Sequence, residues 1–87
     1  MDDETLILKT QIEMSRYRPM IMKCFDPGET IRPKRIAEQT GLDLNYVSRY
    51  LRELREMDLV YVLNPNVRAN RDYKLTEKGE YILPFLD

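Results

Sequence analysis

The 87 residues predict a mostly helical α+β domain: a three-helix core, a two-stranded hairpin and a closing C-terminal helix. Three observations carry that reading. Leu44, Val47, Leu51 and Leu54 recur at spacings of three and four, the stripe of a helix buried on one side. Leu59-Val60-Tyr61-Val62-Leu63 and Tyr73-Lys74-Leu75 are branched and aromatic runs on either side of a polar loop, the pattern of a hairpin. Gly41 and Asp43, set between two helical stretches, supply a stop and a fresh start.

Taken in order, the stretch from Met1 to about Met14 is acidic. Leu8 and Ile12 lie one turn apart and allow an amphipathic helix, while the alternation around Leu6–Leu8 allows an extended arm; a frayed terminus is the remaining alternative. Residues 1–14 are thus set apart as an arm or helix suited to dimerisation, ahead of a domain over 15–87. A helix follows from about Tyr17 to Phe25, with Ser15 as its cap and Pro19 in its first turn. Asp26-Pro27-Gly28-Glu29 ends it, and Thr30-Ile31 has length only for a token strand, because Pro33 blocks continuation. Pro33 suits the first position of the next helix, Lys34 to Thr40, with Ile36 and Ala37 inward. Asp43 caps a third helix running to about Met57. A strand runs from Asp58 to Leu63, a polar loop from Asn64 to Arg71, and a returning strand from Asp72 to Leu75 with Tyr73 and Leu75 on one face. Thr76 caps a final helix over Glu77–Leu86, short or bent because of Gly79 and Pro84. Helix, short strand, helix, helix, strand, loop, strand, helix is the order of a winged helix-turn-helix.

Composition removes several function classes. Cys24 is the one cysteine, so no internal disulfide and no zinc cluster can form; within Met20-Ile21-Met22-Lys23-Cys24-Phe25 it reads as a packed thiol. There is no histidine, and no carboxylate pair stands out from the solvated acidic background, so the chain reads as no enzyme, with no cofactor and no metal. No apolar run approaches the ~20 residues that cross a bilayer, and no signal-peptide pattern opens the chain; no membrane partner and a cytoplasmic location are expected. The net charge of −1 hides an asymmetry: Asp2, Asp3, Glu4 and Glu13 against Lys9 leave the first 14 residues at −3 and the remainder at +2. For a nucleic-acid partner, what counts is whether the cations gather on one face.

A helix-turn-helix lays its second helix in the major groove. Here Asn45, Tyr46, Ser48, Arg49 and Arg52 lie opposite the apolar stripe, largely in the N-terminal half where base-contacting groups sit. Arginine can bond guanine through two acceptors and asparagine can do likewise with adenine; Ser48 and Tyr46 suit phosphate oxygens. Arg55, one turn further along, is a weaker candidate. On an ordinary surface helix, Arg49–Glu53 and Arg52–Glu56 would merely be i,i+4 ion pairs. Arg68, Asn70 and Arg71 fall at the tip of the hairpin, placed for the DNA backbone or a narrow minor groove. Arg32, Lys34 and Arg35 crowd a helix N-terminus, where cations oppose the macrodipole and a phosphate would relieve the conflict. Tyr46, Tyr50, Tyr61, Tyr73 and Tyr81 read as half-buried interface residues rather than platforms for single-stranded bases.

With these residues placed, the chain resembles the winged-helix transcriptional regulators of the MarR/ArsR-like kind, especially short archaeal members. The resemblance runs from Ser15 to about Leu83. It rests on Ser15-Arg16-Tyr17-Arg18, Ile36-Ala37-Glu38-Gln39-Thr40-Gly41-Leu42, Val47-Ser48-Arg49-Tyr50-Leu51-Arg52-Glu53-Leu54 and Tyr73-Lys74-Leu75-Thr76-Glu77-Lys78-Gly79. It implies a homodimer binding a pseudo-palindromic site in double-stranded DNA. Relatives dimerise through terminal helices, here Leu8 and Ile12 at one end and Tyr81, Ile82 and Phe85 at the other. The cysteine and histidine clusters of ArsR-type metal sensing are missing, so that property does not carry over. The competing reading is a winged helix used as a protein-interaction module without specific DNA binding.

Overall fold

A computed structural model describes residues 1–87. The N-terminal segment is a helix, α1 (Asp3–Glu13), opened by an Asp2 side chain that accepts the Thr5 N–H at 2.8 Å. Helix α2 (Tyr17–Met22) stops short of Phe25, because Cys24 and Phe25 bond back to Ile21 and Met22 in tighter turns. The Ser15 hydroxyl accepts the Tyr17 N–H at 3.3 Å, but the residue in the cap position is Arg16, whose side chain makes no cap bond. Helix α3 (Pro33–Thr40) begins on proline and ends on Gly41, whose φ of 75° few other residues adopt cheaply. Helix α4 (Leu44–Glu56) is capped by Asp43, which accepts the Asn45 N–H at 2.8 Å.

Strands β1 (Val60–Val62) and β2 (Tyr73–Leu75) pair antiparallel, with Val60 opposite Leu75 and Val62 opposite Tyr73. β1 is shorter than its apolar run Leu59–Leu63, and β2 starts one residue after the expected Asp72. Asp58, at φ 61°, turns the chain out of α4 before the ladder can begin. The token strand is reduced to one bridge: Ile31 and Tyr73 exchange both backbone hydrogen bonds at 2.9 Å, adding a single residue beside β2. Helix α5 (Glu77–Ile82) is capped by the Thr76 hydroxyl and gives way to a 3₁₀ turn over Leu83–Phe85, where Pro84 has no N–H to continue the ladder. A mostly helical winged helix-turn-helix results.

The core gathers one stripe from each element: Ile12 of α1, Ile21 and Met22 of α2, Ile36 of α3, and Val47, Leu51 and Leu54 of α4. Phe25 after α2, Leu59, Val60, Tyr73 and Leu75 in and beside the hairpin, Ile82 of α5 and Leu86 after it complete the core. Burying each large aliphatic chain contributes about 1.5–3 kcal/mol before chain entropy is counted. Ile12 and Ile82, assigned from sequence to a subunit interface, are wholly buried in this core and have no surface left for a second copy. Their apolarity is satisfied within one chain.

Polar contacts hold α1 to the C-terminal segment. Thr5 Oγ1 lies 2.9 Å from the Tyr81 hydroxyl. Lys9 Nζ donates to both Glu13 oxygens (2.7 and 2.8 Å) and to Asp87 (2.9 Å), and the Asp87 N–H donates to Glu13 at 2.9 Å. The Asp87 N–H, then Lys9, holds the Glu13 carboxyl below the usual carboxylate range; Lys9 does the same for Asp87. Glu13 in turn leads in raising the Lys9 ammonium. Depressed carboxyls stabilise the fold above their unfolded pKa, and that support is lost as pH falls through the folded values. The raised ammonium would lose its contribution only in strong alkali. Acid is therefore expected to loosen α1 first. Replacing Lys9 by methionine should move the Glu13 titration midpoint up toward that of an ordinary glutamate, read by carboxyl NMR. An unmoved midpoint would show that Lys9 does not hold the carboxylates.

Candidate nucleic-acid interface

Helix α4 separates its work by face. Val47, Leu51 and Leu54 point into the core. Tyr46 and Tyr50 form the flank toward α2, where the Tyr50 ring lies 5.5 Å from that of Tyr17. Asn45 and Arg49 are exposed on the outward side, and Leu44, Ser48, Arg52 and Arg55 line up toward the start of α3 and the hairpin loop.

That last stripe forms one wall of a cleft of about 540 Å³. Arg32, Pro33 and Lys34 supply a second wall and the loop residues Arg68, Ala69, Asn70 and Arg71 a third. Six cations line it, and no carboxylate does. Like charges so gathered raise the local potential and favour an anionic occupant. The structure thus brings Ser48 and Arg52 of the helix together with Arg32, Lys34, Arg68, Asn70 and Arg71. Arg35 is exposed on α3 outside the cleft lining, as are Asn45, Tyr46 and Arg49 on α4. Arg55 belongs to the cleft more firmly than its place late in the helix suggests. The signal was its spacing of eleven from Leu44 and three from Arg52, which sets all three on one stripe.

Internal partners divide these cations. Arg32 Nε bonds Asp72 at 3.1 Å, and Arg71 Nε donates to the Val67 carbonyl at 2.8 Å, so both brace the loop. Asn64 completes the brace, accepting the Asp72 N–H at 2.8 Å and donating to the carbonyl of Asn70, whose φ of 57° makes the turn. Lys34, Arg35, Arg52, Arg55 and Arg68 make no ion pair. The Arg52–Glu56 pair that an ordinary surface helix would make does not form. Arg49 reaches Glu53 at a loose 3.8 Å, and the nearer partner of Glu53 is Arg18, at 2.8 Å. At such exposure the Arg49 pair is worth little.

Away from the cleft, Tyr81 is exposed, and Leu8 and Phe85 are half-buried. Cys24 is partly buried, and burial pushes its thiol up, away from reactive thiolate. No three His, Cys, Asp or Glu side chains gather as a metal site, and no helix is long and apolar enough to cross a membrane.

The family model of the IclR helix-turn-helix domain matches residues 20–63. The match runs from within α2 to the end of β1 and so takes in α3, the turn and all of α4. No curated protein matches the chain. The family matched is IclR; the MarR/ArsR-like kind suggested by sequence resemblance shares with it the winged helix-turn-helix. With the helix pair, the hairpin and the cation-lined cleft arranged as described, the chain belongs to the IclR helix-turn-helix domain family and is a DNA-binding transcription regulator.

Proposed function

We propose that the chain acts in the cytoplasm, without catalytic activity, as a homodimer that reads a pseudo-palindromic sequence in duplex DNA. Helix α4 enters the major groove. Asn45, Arg49 and Arg52 address base edges, and Tyr46 and Ser48 address bases or nearby phosphates. Arg32, Lys34, Arg35 and the loop residues Arg68, Asn70 and Arg71 hold the backbone or the minor groove. The observation that carries this reading is the cleft between α4, the start of α3 and the loop, lined by six cations and no acid. Kinship with MarR/ArsR-like regulators is supported by Leu75-Thr76-Glu77-Lys78-Gly79, where β2 passes into α5. The second copy docks on the outer side of α1, where Leu6, Ile7 and Met14 are exposed, and on the neighbouring Tyr81, with Leu8 and Phe85 at the edge.

The test is selection of bound sequences from a random duplex pool near physiological salt with competitor DNA present, beside sedimentation of the free protein. Enrichment of a palindrome and a dimer mass are expected. A folded protein that enriches no sequence would overturn the reading in favour of a protein-interaction module.

A further inference from the structure

Beyond the cleft, we propose a second phosphate-binding strip, built from the start of α2 and the flank of α4. It holds the DNA strand on the side of the recognition helix away from the hairpin loop. The proposal rests on α4 being the groove-reading helix, and it adds residues that neither the family match, which begins at residue 20, nor the cleft includes.

Four side chains form a continuous ladder. The Arg16 guanidinium lies over the Tyr17 ring at 5.4 Å, the Tyr17 and Tyr50 rings are 5.5 Å apart, and the Arg49 guanidinium lies over Tyr50 at 5.7 Å. The ladder thus begins at the start of α2 and ends at Arg49, on the outward face of α4. An arginine stacked on a ring keeps its N–H edge free to donate, which is the geometry phosphate oxygens accept. Arg16 is exposed and makes no ion pair, and the hydroxyls of Tyr17, Tyr46 and Tyr50 bond nothing in the protein. The carboxylate nearest the strip, Glu53, is gripped by Arg18 through Nε (2.9 Å) and Nη2 (2.8 Å), which offsets its repulsion of a phosphate. Arg18 is itself anchored by donating to the Gln11 carbonyl at 2.8 Å.

The chemistry suits duplex backbone rather than unstacked bases. Tyr17 and Tyr50 are half-buried against each other, so their faces are taken and only edges and hydroxyls are offered. A helix in a major groove about 12 Å wide has a phosphate wall on each side. The α3 and loop cations of the cleft face one wall, Arg16 and the tyrosine hydroxyls face the other, and Arg49 and Arg52 lie between them toward the base edges.

The experiment measures affinity against salt for the full chain on the duplex enriched by selection. Arg16→Ala should lower the salt slope by about one unit, the signature of one lost phosphate contact, with sequence preference retained. Arg16→Lys should keep the slope. Lys23→Ala, which removes a charge at the other end of α2 beside Asp87, should leave the slope unchanged. Arg68→Ala serves as the reference for the opposite wall. A slope unchanged in Arg16→Ala but lowered in Arg68→Ala overturns the strip and leaves the groove reading standing. An equal fall in Arg16→Ala and Lys23→Ala also overturns it, since bulk charge would then explain both. A wild-type chain with no enriched duplex overturns the strip together with the reading beneath it.

Discussion

Gly79→Ala is expected to destabilise the fold by about 1–3 kcal/mol or more, and Gly79→Val to abolish cooperative unfolding. A Cβ on Gly79 would run into the Leu59 carbonyl oxygen, and it would also lie 3.1 Å from the Leu59 carbonyl carbon and 3.1 Å from Leu75 Cδ2. The obstacle is backbone, and it cannot retreat. The Leu59 carbonyl accepts the Thr76 N–H at 3.0 Å, while the Leu59 N–H is tied to Leu54 at 2.9 Å. Around it, Thr76 Oγ1 donates to the Asp58 carbonyl and Lys78 Nζ to that of Met57. The start of α5 is thus latched onto the end of α4, and glycine alone lets the two backbones approach so closely. For a domain of this size each kcal/mol lowers Tm by roughly 4–8 °C, so thermal unfolding followed by circular dichroism reads the effect directly. An alanine variant melting with the wild type would show that the contact is not rigid.

Removing Arg49 and Arg52 together should produce the largest functional loss. A well-made bidentate contact to a base is worth about 1–3 kcal/mol of discrimination, so two independent contacts amount to about 2–6 kcal/mol. The loss should fall on the selected duplex and spare mixed-sequence DNA, since the remaining cleft cations still hold the backbone. Both side chains are exposed and the core stripe lies on the other side of the helix, so the double variant keeps its fold. Titration of the selected and a scrambled duplex at one salt concentration checks this. Equal weakening on both would reassign the arginines to phosphates.

Local chemistry was readable in the sequence. The Asp43 cap, proline at the head of α3, the left-handed Gly41, the Thr76 cap and the stripe of α4 are each set by neighbours a few residues away. Gly79 was legible only as a weak helix former; its contact with Leu59, twenty residues back, depends on the fold. The same distance hid the Lys9–Asp87, Arg18–Glu53 and Arg32–Asp72 pairs. Spacing allowed Arg52 to pair with Glu56 as on an ordinary surface helix, but Arg52 lines the cleft and makes no ion pair. Ile12 and Ile82 show a further limit. An apolar side chain announces that something will cover it, and only the packing says whether that cover is the same chain or another.

The separation of faces on α4 has a consequence for how such a regulator can change. Val47, Leu51 and Leu54 sit wholly inside, while Asn45, Ser48, Arg49 and Arg52 are exposed and stand outside the buried core. Exchanges at those four outer positions are close to neutral for folding, as surface exchanges generally are. The outer residues can therefore drift, duplicate and diverge to new target sites through intermediates that all remain folded, and innovation in what is read need not wait on repair of what is built.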